Sequence, residues 1–290
     1  MKHTAIQPPP KARRKRKDAQ SNIFQKIAAV PHVVWTVMFI VAPMLFVLYF
    51  AFTDADGNFS FSNITQLSQY TNVFILSIAF ALIATAVCLI IGYPLAYFMS
   101  RQSVRAQKIL MVLIMLPMWC NLLIRTYALM ALLDNGGLLN SLLKNLGLQP
   151  LPIVGSYFGV ILGMVYDFLP YMVLPIFTAM TKLDYRYIEA SHDLGCNGLQ
   201  TMTRVVMPLT LSGVVSGVTM VFVPSISTFY ISQKLGAGKI DLVGDTIERL
   251  FQNVSTYNVG AAMSLVMMIL ILISLTIMNK FSDEEGGMVP

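Results

Sequence analysis

Long apolar runs constrain this chain before any motif does. About 20 consecutive apolar residues cross the hydrocarbon core of a bilayer as a helix, because within lipid the backbone must satisfy its own hydrogen bonds. Six such runs are present, near His32–Phe52, Val73–Met99, Ile109–Leu133, Ile153–Met180, Leu209–Ser232 and Asn258–Met278. Hydrophobic residues make up 56% of the chain and charged residues 12%, roughly half the charge of a globular domain, so a soluble domain is excluded. The expectation is an all-α membrane protein with six transmembrane helices. Its organisation is a basic tail over 1–31, a membrane domain over 32–280 and a short tail over 281–290.

Charge sets the orientation. Fifteen basic residues fall on one side of this arrangement, among them Arg13, Lys17, Arg101, Lys108, Arg186 and Arg204. Only Lys144, Lys234, Lys239 and Arg249 fall on the other. The positive-inside rule places the rich side, and both termini, in the cytoplasm. The Lys11–Lys17 cluster reads as a retention signal that attracts anionic lipid, not as a nucleic-acid site. The tail with Pro8-Pro9-Pro10 is expected to be disordered. The first apolar run is too long for a cleavable signal. Cys88, Cys120 and Cys196 have no pairing pattern and read as small hydrophobes.

Small residues and prolines mark the spans. Gly155, Gly159 and Gly163, and again Gly213 and Gly217, recur at four-residue spacing, which lets helix backbones approach closely in lipid. Pro94, Pro117, Pro170, Pro175 and Pro224 each remove an amide donor and predict bent or broken helices beside a water-filled path. An amphipathic Leu138–Leu148 is expected at an interface.

Between the fourth and fifth runs lies a polar segment, 181–208. Asp184 is placed to cap a helix over Tyr185–Leu194, with Leu183 and Ile188 at the spacing of a hydrophobic staple. Gly195 stands where a left-handed helix stop is wanted, and Asn197 with Gln200 is placed to start a second helix. Within it, Glu189-Ala190-Ser191-His192-Asp193-Leu194-Gly195, with Pro208 further on, resembles the "EAA" loop of ABC-importer permeases. Ser191, Val205 and Met207 are mild departures. The resemblance implies that Asp184, Glu189, Ala190, Gly195 and Pro208 belong to a coupling surface for a separate ATPase. Glu189-x-x-His192 is half of a di-iron pattern, but no second half exists, so no metal is expected.

Two ionisable residues fall inside apolar runs, Arg125 and Asp167. Intramembrane charges are costly and are paired or functional. Either they neutralise each other, or Asp167 faces a pathway and receives a cation. Trp119, Asn121, Tyr127, Tyr166, Tyr171, Phe229 and Tyr230 are candidate companions on that pathway, since aromatic faces attract ammonium groups. Interfacial belts also collect Trp and Tyr.

Further blocks resemble the spermidine/putrescine ABC permeases, in particular the first of their two permease subunits: Leu116-Pro117-Met118-Trp119, Leu123-Ile124-Arg125-Thr126-Tyr127, Gly137-Leu138-Leu139-Asn140, Tyr171-Met172-Val173-Leu174-Pro175 and Pro208-Leu209-Thr210. The resemblance implies a type I ABC importer permease (MetI-like) fold. It also implies a second permease subunit, an ABC ATPase dimer carrying ATP and Mg²⁺, an extracytoplasmic substrate-binding protein and a polyamine substrate. No cofactor is expected on this chain, which has no catalytic residues and no G-x-x-x-x-G-K-[ST] phosphate loop. ABC importer permeases for other small solutes share much of this pattern and are the alternative reading; an ion-coupled secondary transporter would leave the 181–208 segment unexplained and shows no repeat. An intramembrane enzyme would lack a second carboxylate and an H-E-x-x-H motif.

Overall fold

The computed structural model describes residues 29–54 and 57–286, with the backbone alone at 279 and 281–286. The expected basic tail therefore lies outside the described residues up to 28, and the final tail does from 287. Helix α1 (Ala29–Ala51) opens the membrane part. Its π-turn over Val37–Val41 stands just before Pro43, where a missing amide leaves the α-helical ladder one donor short. Helix α2 (Ser62–Gln66) runs through a 3-10 turn into α3 (Thr71–Ser100), so the second span carries a polar helical extension.

The third run departs from the expectation of one span. It is two helices, α4 (Val104–Trp119) and α5 (Leu122–Leu133), with Cys120 extended between them at ψ 145°. Pro117 withholds a donor just before the break, and the Asn121 side chain restarts the chain by accepting from Leu123 N at 2.8 Å. The amphipathic helix expected next is α6 (Leu138–Asn145).

Helix α7 (Tyr157–Lys182) is the most enclosed span, and it contains Pro170 and Pro175 without a break. Two short helices follow, α8 (Arg186–Asp193) and α9 (Gly198–Leu209). The chain bends by 69° into α10 (Leu211–Ser227), so the fifth span is entered through a corner. It also stops early. Thr228 is extended, and α11 (Tyr230–Leu235) starts afresh where a continuous span to Ser232 was expected. Helix α12 (Val243–Phe251) precedes α13 (Tyr257–Gly286), which continues as helix into the stretch expected to be tail. Among the described residues, five helical stretches are long and apolar enough to cross a bilayer, and the bent α9–α10 pair makes six.

Helices α3, α7 and α10 form the centre. Their faces meet around Cys88, Met164, Met172, Ile176 and Val221, all buried. The close approach of α10 to α7 depends on two glycines. A Cβ on Gly213 would stand 2.9 Å from the Pro175 carbonyl oxygen, and one on Gly217 would stand 3.0 Å from that of Met172. At Gly213 the Ala179 Cβ is closer still, at 2.6 Å, and neither it nor the carbonyl can swing aside; at Gly217 the nearest atom is the Met172 Sδ at 2.8 Å, so a larger residue there also needs that side chain to move.

Candidate functional site

The 181–208 segment folds as two capped helices around a glycine. Asp184 Oδ1 accepts from Arg186 N at 3.0 Å, starting α8 one residue later than expected. Helix α8 ends at Gly195, whose φ is +82°. Gly195 N donates to His192 O at 2.9 Å and Cys196 N to Ser191 O at 3.0 Å, the paired bonds of a Schellman stop. Asn197 and Gln200 then form a reciprocal capping box at 2.9 and 3.0 Å. The Ser191 and Thr201 hydroxyls, 2.9 Å apart and buried, tie the two helices together.

This unit has an anchored side and a free side. Ile188 is buried in the main core, with Leu183 packed on the same cluster. The Arg101 guanidinium lies over the rings of Tyr97 and Tyr185, 4.9 and 5.5 Å from their centroids, joining the preceding inner loop to α8. Glu189, Ala190, Gly195 and Pro208 are all exposed. Leu194 and Leu199, 85% and 75% exposed, add apolar surface that a partner protein can cover.

The corner behind the unit is fastened. Thr210, at the bend between α9 and α10, is fully buried and its Oγ1 lies 3.0 Å from Tyr93 Oη on α3. The bond ties the α9–α10 corner to α3.

The intramembrane charges meet. Arg125 Nε lies 2.5 Å from Asp167 Oδ1, with both side chains almost wholly enclosed. Arg125 Nη1 donates to Pro117 O at 3.0 Å, and Thr126 Oγ1 donates to Asp167 Oδ2 at 3.0 Å. The guanidinium also lies 5.9 Å from the centroid of the Tyr166 ring. Asp167 presents no free carboxylate in this arrangement.

The candidate pathway aromatics separate into groups. Trp119 and Asn121 flank the α4–α5 break, and Asn121 Oδ1 is engaged as a cap. Tyr171 packs on the core beside Phe168. Tyr127 and Tyr230 share one cation, the Lys234 ammonium, 6.0 and 5.5 Å from their ring centroids. Phe229, beside Tyr230 at the α10–α11 break, is partly exposed. Sequence reasoning counted Lys234 as a loop charge and did not bring it to these rings. Its only signal was its place four residues after Tyr230, one turn on if a helix runs through both.

A glycine-stopped polar loop, a fastened corner and five to six apolar helical stretches long enough to span a bilayer together describe a multi-pass membrane protein. A family model described as "Binding-protein-dependent transport system inner membrane component" matches residues 92–284, and the chain belongs to that family. Among curated proteins, the chain is 36% identical over 255 residues to the spermidine/putrescine transport system permease protein PotB of Haemophilus influenzae, covering 84% of this chain and 89% of that protein. Against PotB of Escherichia coli it is 36% identical over 245 residues, covering 81% and 89%. The inner membrane ABC transporter permease protein YdcU of Escherichia coli is 28% identical over 241 residues, covering 78% and 77%. A chain of a bacterial ABC transporter involved in the import of the acidic polysaccharide alginate superposes with a TM-score of 0.75 at 17% identity, covering 93% of this chain and 99% of that one. That likeness establishes the fold, an ABC importer permease fold.

Proposed function

We propose that this chain is one of two permease subunits of an ATP-driven polyamine importer, taking spermidine or putrescine from an extracytoplasmic binding protein. The observation that supports this best is the 36% identity to PotB proteins over 84% of the chain. Both termini are assigned to the cytoplasm by the charge count, which puts α8 and α9 on the ATPase side. A partner ATPase dimer holds ATP and Mg²⁺ and grips the exposed face of α8 around Glu189 and Gly195. This chain itself hydrolyses nothing.

The path of force follows the covalent chain. Closure of the ATPase dimer moves α8, Ile188 carries that motion into the core, and the corner at Thr210 turns it into a tilt of α10. Rigid-body transmission of this kind needs stiff elements and firm junctions. The caps of α8 and α9 and the Tyr93–Thr210 bond are such features. Beyond the Thr228 break, α11 carries Tyr230 on the path offered to substrate. Asp167 acts as the counter-ion that lets Arg125 brace the α4–α5 break at Pro117.

The test is ATP hydrolysis by the reconstituted complex with its binding protein, as spermidine, putrescine and an unrelated amino acid are added in turn. Stimulation by a polyamine alone is expected. Stimulation by another solute alone keeps the importer and discards the polyamine.

A further inference from the structure

We propose that Tyr127 and Tyr230 form a cation subsite which Lys234 occupies in the absence of substrate, and that a terminal ammonium of the polyamine displaces it. This rests on the polyamine reading above.

Two helix breaks build the subsite. Helix α5 starts after the break at Cys120–Asn121 and presents Tyr127; α11 starts after the break at Thr228–Phe229 and presents Tyr230. The two helices pack together, and the Lys234 ammonium lies within reach of both rings. Among the described residues Lys234 has no carboxylate within ion-pairing distance; the two ion pairs are Arg125–Asp167 and Arg249–Asp241. Glu248, on α12, is engaged instead by the neighbouring Gln233. The two rings stand where a carboxylate partner is missing, at cation–π distance from this ammonium. Tyr127 is 55% exposed and Lys234 is half-buried, so the subsite is open to an incoming molecule.

The chemistry is specific. A lysine side chain ends in a primary alkylammonium, the same group that ends a polyamine. Rings placed to hold one hold the other, and two like charges cannot share the space. Asp167, the other candidate receptor for a cation, is already closed by Arg125. Substrate arrival therefore frees Lys234, loosening the attachment of α11 to α5, while the empty permease keeps its aromatic pair filled by its own chain.

The experiment measures binding of radiolabelled spermidine to the solubilised complex of both permeases and the ATPase, without binding protein. Lys234→Met is expected to bind on the order of tenfold more tightly than wild type, since one tethered competitor is gone. Lys234→Arg keeps a cation and is expected to stay close to wild type. Adding Tyr127→Leu to Lys234→Met is expected to cancel the gain. An assembled Lys234→Met complex that binds spermidine no better than wild type overturns the proposal while leaving polyamine transport intact. Failure of wild type and Lys234→Met alike to bind any polyamine, with ATP hydrolysis stimulated by a different solute, overturns the polyamine reading and this inference with it.

Discussion

Tyr93 Oη and Thr210 Oγ1 stand 3.0 Å apart in the core, and this bond fastens the corner through which the 181–208 loop enters the fifth span. Thr210 Oγ1 is also 2.8 Å from Val206 O, so with the threonine proton given to that carbonyl, Tyr93 is the donor. Thr210→Val leaves the tyrosine hydroxyl buried without an acceptor, at a cost of about 1–3 kcal/mol. Tyr93→Phe keeps the threonine bond and costs less, about 1 kcal/mol. Thermal unfolding of the purified complex is expected to rank Thr210→Val below Tyr93→Phe, and both below wild type. Substrate transported per ATP hydrolysed is expected to fall in the same order.

The Arg125–Asp167 pair makes a distinct prediction. Asp167→Ala strands a buried guanidinium, and removing one partner of a buried pair costs about 3–5 kcal/mol. Poor recovery of assembled complex is expected. Replacing both, Arg125→Met with Asp167→Leu, removes the stranded charge and should restore assembly. Uptake by that double variant then tests what the pair does beyond assembly: near wild-type transport shows that neither the carboxylate nor the Arg125 brace at Pro117 is needed, and assembly without transport shows that the pair serves transport itself.

The proposed coupling loop separates conformation from contact. Gly195 has φ +82° and nothing within 4 Å of where a Cβ would stand. Gly195→Ala therefore suffers backbone strain alone, about 1–2 kcal/mol. Glu189 is exposed, and Glu189→Gln should leave thermal stability unchanged. Both are expected to lose ATPase in pull-down, the first through loop shape and the second through contact. Wild-type ATPase coupling in Glu189→Gln would remove that residue from the interface.

Asp245 links stability to pH. It lies on α12, outside the spans, 4% exposed, with Oδ1 unpartnered and Oδ2 accepting from Leu242 N at 3.1 Å. Burial pushes its carboxyl up to about 6, opposed by the bond from Leu242 N and aided by the nearby charges of Asp241 and Glu248. The folded state thus keeps the proton after the unfolded chain has released it. Stability is expected to fall as pH rises from about 4 to 6, by about 3 kcal/mol in all, and to level off above. Asp245→Asn should flatten a plot of unfolding temperature against pH over that window.

How far the sequence could be read depended on the range of each interaction. The caps at Asn197–Gln200 and the stop at Gly195 were legible because they join residues within a turn of one another. The prolines were less informative. All five withhold a donor, yet only Pro117 and Pro224 stand just ahead of breaks. Pro170 and Pro175 stay within continuous helix because α7 is packed on both sides by α3 and α10. The second prediction above concerns a pair that sequence could name but not orient. Nothing local says that Asp167 turns toward Arg125 instead of a pathway.

By itself, the sequence determined which runs are helical within lipid and how the 181–208 loop is capped, since lipid compels each span to satisfy its own backbone and caps are local; it did not show that the third and fifth runs break. The tertiary structure alone decided which faces meet. Tyr93 finds Thr210 across 117 residues, and Val243 N finds Ser77 Oγ at 2.8 Å across 166. Lys234 reached its two rings because packing brought the restarted ends of two broken helices together. Such meetings depend on side-chain volume and helix crossing over the whole assembly, which no stretch of sequence holds on its own.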